Sequence, residues 1–310
     1  MTEDNSLLGP IGWSVMIPTF NDGAYLQKCI QSVIEASPSQ KGLEIVVIDD
    51  GSTRGDPKQV VNSFGVGRIK LIRNKNNLGS TGNFNRCIEE SRGELVHILH
   101  ADDWVEKEFY TSVEYAFLRN PEAAMVCCRV YIVDDEGELL ELSPRLDFLN
   151  KPSLAQNQLY CENPIRTPGV VVKKSVYKKI GGFDLSLRHA ADWELWIRIL
   201  REYRGLFINR PLANYRFFAN NETHRFYKTG ENIRDLLRLY FILLKRDPEF
   251  PGKDFLDGVY QLTRNQINKY HQLGESEAVA ANQSALRELL PHLDLKRKLQ
   301  GLALLIRNIL

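Results

Sequence analysis

Two acidic doublets are the residues in this chain best placed to do chemistry. Asp49-Asp50 follows the run Glu44-Ile45-Val46-Val47-Ile48 and leads into Gly51-Ser52. Asp102-Asp103 follows Leu95-Val96-His97-Ile98-Leu99 and the pair His100-Ala101. Short β-branched or leucine-rich runs that end in a turn have the pattern of buried parallel strands. In an open α/β sheet, ligands sit beyond the carboxyl ends of the strands, so both doublets are expected in one crevice. Carboxylates gathered there need a cation, or a ligand rich in donors. A third carboxylate, Asp192, opens Asp192-Trp193-Glu194-Leu195-Trp196. At the first turn of a helix it is either a general base or an ordinary N-terminal helix residue.

The elements that must position these groups alternate. Strands are expected at 13–17, 44–48, 69–72 and 95–99, with helices from 24, over 57–64 and over 81–91. Pro57 suits a first helical turn, and 74–79, rich in Asn and Gly, is a loop. The order β-α-β-α-β-α-β predicts a doubly wound, mostly parallel, Rossmann-like sheet. A helix at 106–119 stops at Asn120-Pro121, and strands follow at 124–133 and 169–172. The segment 142–158 has the look of an irregular polar connection. A helix covers 192–200, and the chain is helical over 232–246, 255–273 and from Glu275 to the end. In the last helix Leu295, Leu299, Leu302, Ile306 and Ile309 form a stripe, with Lys296, Arg297, Lys298 and Arg307 elsewhere. Such a stripe packs on the domain or on a second subunit, or lies on a membrane surface.

The bulk numbers narrow the class. The chain has 310 residues, 43% hydrophobic and 25% charged, which is ordinary globular composition. A formal net charge of +1 gives no electrostatic footprint for nucleic acid. Five cysteines without CxxC spacing argue against a disulfide framework or structural zinc, and fit a reducing cytoplasm. Met1-Thr2-Glu3-Asp4-Asn5-Ser6 lacks the basic start of a signal peptide, and no apolar run is long enough to span a bilayer. A cytoplasmic protein is expected, at most attached to the inner face of the membrane.

The motifs in their order resemble the family 2 glycosyltransferases of the GT-A fold. They are Val15-Met16-Ile17-Pro18-Thr19-Phe20-Asn21, Val46-Val47-Ile48-Asp49-Asp50-Gly51-Ser52, Asn77-Leu78-Gly79, Asn85, Asp102-Asp103, Gly181-Gly182-Phe183-Asp184 and the Asp192 helix. The resemblance spans 11–220. It implies a GT-A transferase domain over 1–228, with a nucleotide-sugar half at 11–135 and an acceptor half at 136–228, and a helical extension at 229–310. It implies an inverting transfer from a nucleotide-diphosphate sugar to a carbohydrate or lipid-linked acceptor, in cell-envelope polysaccharide or glycan synthesis. A divalent metal, Mn²⁺ or Mg²⁺, is implied as well.

By the same resemblance Asp103 binds the metal, Asp102 faces the ribose or the metal, and Asp192 is the general base. Ala191 stands where relatives often have a second acid. Pro18, Thr19, Asn21, Asp50, Asn77 and Asn85 fall to the nucleotide sugar, with Asp50 accepting from the base. His224 is set among the metal ligands or, with Arg216, against the diphosphate. Arg166 and Trp193 lie on the acceptor side. His100 departs from the family, since many relatives have an acid there, and it is either a ligand or a wall of the site. The competing readings are an inactive sugar-nucleotide-binding homologue and, more remotely, a receiver-like signalling domain.

Overall fold

The computed structural model describes residues 12–37, 42–218 and 222–307. The N-terminal segment read above and Ile309 lie outside the described residues, as does the side chain of Ile306. Two compact units interleave along the chain. One comprises the chain to Gln156, Pro164–Phe183 and Leu195–Phe217; the other comprises Asn157–Asn163, Asp184–Glu194 and the chain from Phe218. The expected single boundary after residue 228 is therefore not where these units divide.

The first unit is built on β1 (Trp13–Thr19), α1 (Gly23–Ala36), β2 (Leu43–Asp49), α2 (Pro57–Ser63), β3 (Lys70–Arg73), α3 (Gly79–Glu90) and β4 (Leu95–Ile98). After these come β5 (Trp104–Val105), α4 (Phe109–Arg119), β6 (Ala123–Val133), β7 (Leu139–Leu142), α5 (Pro152–Leu159), β8 (Val170–Lys173), α6 (Lys174–Ile180), α7 (Ala191–Glu202) and β9 (Arg204–Arg216), with the end of α5 and the first turn of α7 counted in the second unit. The sheet order is β3-β2-β1-β4-β8-β6-β9-β5, with β7 added on β6. β1, β2, β3 and β4 pair in parallel, and so do β6 and β9. β8 runs antiparallel between β4 and β6. β1 is buried along its whole length, as a central strand covered on both faces must be. Leu26, Ile30 and Val33 of α1 and Val15 and Ile17 of β1 lie in one apolar core.

Sequence periodicity missed β9, and the strand shows why. Its apolar run is broken by Asn209-Arg210-Pro211, and its register against β6 shifts next to the Arg129–Pro211 pair. Proline cannot donate to a ladder and is accommodated at a bulge. The stretch expected to be irregular begins at the last residue of β7 and holds a 3-10 turn at Asp147–Asn150 and all but the last residue of α5.

The second unit contains α8 (Glu222–Thr229), α9 (Glu231–Arg246), α10 (Gly252–Gln272), α11 (Ser276–Leu289) and α12 (Leu295–Arg307). The helix expected from Glu275 onward is two helices, because a 3-10 turn at Leu290–His292 carries Pro291. α12 packs through Gly301 and Leu305, both buried. A Cβ at Gly301 would stand 2.5 Å from a Leu290 methyl, which would have to shift to admit it. The three described leucines of the predicted stripe face outward: Leu295 is 73% exposed, Leu299 60% and Leu302 47%. Among the described residues no helix is long and apolar enough to cross a membrane.

A buried histidine crosses the core beneath the site. His97 Nε2 lies 3.0 Å from the carbonyl of Pro168, and Nδ1 lies 3.1 Å from the Tyr110 hydroxyl. A carbonyl only accepts, so Nε2 carries the proton and Nδ1 accepts from tyrosine. The ring stacks on Phe109 at 4.7 Å. Burial holds its pKa down to about 4. The unfolded chain binds a proton near pH 6.5 that the folded chain refuses until about pH 4. Stability from this group is therefore complete above pH 6.5 and is lost as pH falls from there toward 4. The loss is on the order of 3 kcal/mol. Denaturant titrations at pH 7 and pH 4.5 should show a smaller acid loss for His97→Gln than for the parent; equal losses would refute this account.

Candidate active site

The carboxyl edge of the sheet carries both doublets on the strands that flank β1, but the chain treats them differently. Asp49 turns inward: Oδ1 accepts the Ser52 N–H at 2.9 Å and Oδ2 pairs with Arg73 Nε at 3.4 Å. Asp50 is 2% exposed. Its Oδ1 accepts from the Leu78 N–H and the Asn74 amide, each at 2.8 Å, and its Oδ2 accepts from the Gly79 N–H at 2.9 Å. Asp50 fastens the 74–79 loop. Gly79, at φ +75°, makes the turn that aims its N–H at the carboxylate and starts α3.

Other polar residues hold the same loops. Asn77 donates to the Asp50 carbonyl at 3.0 Å. Asn83, which sequence reasoning did not select, donates to the Ile48 carbonyl and accepts from Asn74, both at 3.0 Å. Asn74 and Asn83 were legible only as generic loop and helix residues. Asn21 is the sole described non-glycine residue at positive φ, +65°, where asparagine is tolerated better than most. Its side chain accepts the N–H groups of Thr53 (2.8 Å) and Arg54 (2.9 Å), tying the loop after β1 to the loop after β2. Pro18 and Thr19 end β1, both buried, and the Thr19 hydroxyl has no hydrogen-bond partner.

Asp102 and Asp103 stand in a turn closed by the Asp103 N–H on the His100 carbonyl at 3.1 Å. Asp103 is 1% exposed. Its Oδ1 accepts the Arg216 N–H at 2.9 Å, whereas its Oδ2 is buried without a hydrogen-bond partner. Burial, and then the charge of Asp102, push the Asp103 carboxyl well above the ordinary carboxylate range. One ligand atom from each of His100, Asp102 and Asp103 lies within 4.8 Å of the others, the only such group among the described residues. A buried carboxylate oxygen with no donor costs free energy. A hard divalent cation takes carboxylate oxygens in this way, so the residues present fit one.

Arg216, at the end of β9, does not reach outward to a diphosphate as expected. Its guanidinium donates to the carbonyls of Asp102 (3.1 Å), Asp134 (3.3 Å) and Asp135. It lies between the rings of Tyr25 (4.7 Å) and Trp104 (4.9 Å). Tyr25 in turn donates to the Asp135 carboxylate, and that bond pushes the phenol up to about 12. Arg166 lies 6.0 Å from the Tyr215 ring.

Asn85 departs from its expected place in a donor pocket. Its amide donates to the Phe183 carbonyl at 2.9 Å, and its oxygen accepts the Phe183 N–H at 2.8 Å. The pair clamps the Gly181-Gly182-Phe183 turn. A Cβ at Gly182 would stand 2.1 Å from the Asn85 oxygen, which two bonds hold in place. The turn supports an aromatic series: Phe183 lies 5.4 Å from Phe84, and Phe84 stacks on His100 at 4.9 Å and 8°.

In the second unit Asp192 lies in the first turn of α7. It accepts the Trp193 N–H at 2.6 Å and the Asn163 amide at 3.3 Å. The preceding segment is pinned by the buried Asp235, which accepts the N–H groups of Arg188 (3.0 Å) and Ala190 (2.8 Å). Trp193 is tied into the packing: its indole donates to the Leu159 carbonyl at 2.6 Å and lies 5.6 Å from Phe255. Buried Glu194 pairs with Arg246, which also meets Asp184 at 3.3 Å. His224 is on α8, where burial and then the charges of Lys228 and Lys269 lower its pKa. In the first unit, the imidazole grouped with the acidic pair is that of His100.

The family model for glycosyl transferase family 2 matches residues 14–181. That is more than half of the chain, and the protein belongs to this family. It is a nucleotide-sugar glycosyltransferase. The amylovoran biosynthesis glycosyltransferase AmsB of Erwinia amylovora is 26% identical over 213 residues, covering 66% of this chain and 69% of that protein. Among solved structures, TarS 1-349 of Staphylococcus aureus in complex with UDP-GlcNAc is similar with a TM-score of 0.67 at 16% identity. It covers 96% of this chain and 89% of that one. The mannosyltransferase PcManGT of Pyrobaculum calidifontis, in complex with GDP-Man and Mn²⁺, has a TM-score of 0.58 at 18% identity, covering 96% and 79%. These likenesses establish a GT-A-like fold with a helical C-terminal region. Asp192, Trp193 and His224 lie beyond the residues that the family model matches.

Gly182→Ala should lower stability by about 1–3 kcal/mol, as overpacking does. Gly12→Ala, whose Cβ would meet nothing nearer than 3.6 Å, should be close to neutral. Equal thermal midpoints for the two variants would refute the Asn85 clamp.

Proposed function

We propose that the protein moves a sugar from a nucleoside-diphosphate sugar to an acceptor hydroxyl with inversion at the anomeric carbon. A divalent metal at Asp103 and Asp102 and a general base at Asp192 serve the reaction. The observation that carries this reading is the buried Asp103 Oδ2, which has no hydrogen-bond donor beside Asp102 and His100. When bound, the metal supplies Lewis-acid neutralisation of the departing diphosphate. Asp103 holds its place through the Arg216 N–H. Asp192, steadied by Asn163 and the start of α7, takes the proton of the acceptor hydroxyl. The acceptor oxygen bonds to the anomeric carbon as the bond to the diphosphate oxygen breaks. Pro18, the unpartnered Thr19 hydroxyl, Asn21 and Asn77 line the donor side, on loops that Asp50 keeps closed. Arg166 is assigned to the acceptor side. The donors of the similar structures support a UDP or GDP sugar, and the amylovoran relative supports polysaccharide synthesis for the cell envelope.

Thermal shift with UDP, GDP and their sugars, with and without Mn²⁺, tests this directly, since a ligand of the folded state raises the midpoint. A shift that needs metal is expected, and Asp103→Asn should lose it. Asp192→Asn should keep it while transfer falls by about 10²–10⁴-fold, the range of a general base. Full turnover by Asp192→Asn would remove that assignment. A parent protein that binds no nucleotide under any of these conditions would point to an inactive homologue.

The outward leucines of α12 support a further part of the proposal, contact with the inner face of the membrane. Leu295, Leu299 and Leu302 share their helix with Lys296 and Lys298, a combination suited to an anionic lipid surface. The protein should float with vesicles containing anionic phospholipid and not with purely zwitterionic ones, and Leu299→Asp should abolish flotation. A concentration-dependent dimer that Leu299→Asp dissolves, with no flotation, would assign the face to a second copy instead.

A further inference from the structure

Resting on the metal reading above, we infer that His100 is a nitrogen ligand of that metal and biases the site toward Mn²⁺ over Mg²⁺. Its imidazole is held rather than free to turn away. The ring stacks on Phe84 at 4.9 Å and 8°, and Phe84 is backed by Phe183, whose main chain Asn85 clamps at both ends. Nδ1 lies 3.8 Å from Asp103 Oδ2, the buried oxygen without a hydrogen-bond partner. A separation of that size is long for a direct hydrogen bond. It suits two atoms that share a third between them.

The chemistry of the set then decides the metal. Mg²⁺ demands oxygen ligands and near-ideal octahedral geometry, and it gives up water reluctantly. Imidazole suits later and softer first-row ions, and Mn²⁺ accepts carboxylates as well. A turn with two carboxylates and one imidazole therefore favours Mn²⁺ over Mg²⁺ more than three carboxylates would. His100 is on this reading a determinant of metal choice and not of the sugar.

Mn²⁺ titrated into the full chain, alone and with UDP or GDP, in a buffer without nitrogen donors, is the probe. Electron spin-echo modulation from ¹⁴N on the bound Mn²⁺ is expected, and His100→Asp should remove it while binding persists. Competition should favour Mn²⁺ over Mg²⁺ in the parent, and that preference should fall in His100→Asp. An unchanged thermal midpoint for the variant shows that it folds. Bound Mn²⁺ without ¹⁴N modulation, still lost in Asp103→Asn, overturns the role of His100 and leaves the metal reading intact. No Mn²⁺ binding under any of these conditions overturns both.

Discussion

The carboxyl edge of the sheet depends on the buried cation of Arg216. A guanidinium removed from water is costly unless its donors are met. Here main-chain carbonyls of Asp102, Asp134 and Asp135 meet them, and the rings of Tyr25 and Trp104 cover its faces. One side chain thus locks the turn after β4 to the turn after β6. The same residue's N–H fixes one oxygen of Asp103. Because the guanidinium donates to carbonyls, it leaves the other Asp103 oxygen without a hydrogen-bond donor. A direct bidentate pair with that carboxylate would have occupied both of its oxygens.

The two doublets look alike in the sequence and differ in what the fold does with them. Asp49 and Asp50 are answered by the chain itself, through Ser52, Arg73, Asn74, Leu78 and Gly79. These bonds give the loops after β2 and β3 a fixed shape without regular structure. Asp103 is answered only in part. The distinction between a carboxylate that builds a loop and one left partly unsatisfied therefore lies in its partners, and those come from distant segments.

This explains what was legible in the sequence. The parallel core was, because β1, β2 and β4 are short buried apolar runs bounded by turns. The strand β9 was not, because its bulge puts Asn209, Arg210 and Pro211 where a strand pattern expects alternation. The acidic pair at Asp102-Asp103 was legible by type and place. The roles of Asn85, Arg216 and Trp193 were not: each spends its polar atoms on main chain dozens of residues away, which no local pattern records. His100 stood out as a departure, but its stack on Phe84 belongs to the tertiary structure.

The interleaving of the two units bears on how such a chain can be rearranged over evolutionary time. Every strand of the sheet is encoded before residue 217. Yet the segment carrying Asp192 clusters with the helices that follow. Phe255 supports Trp193, Arg246 pairs with Glu194, and Asp235 pins the main chain at 188–190. The helical region is accordingly not a cassette that recombination can exchange at a single junction. A replacement must bring an aromatic ring, a guanidinium and a buried carboxylate to the same three places, or the helix of Asp192 loses its footing.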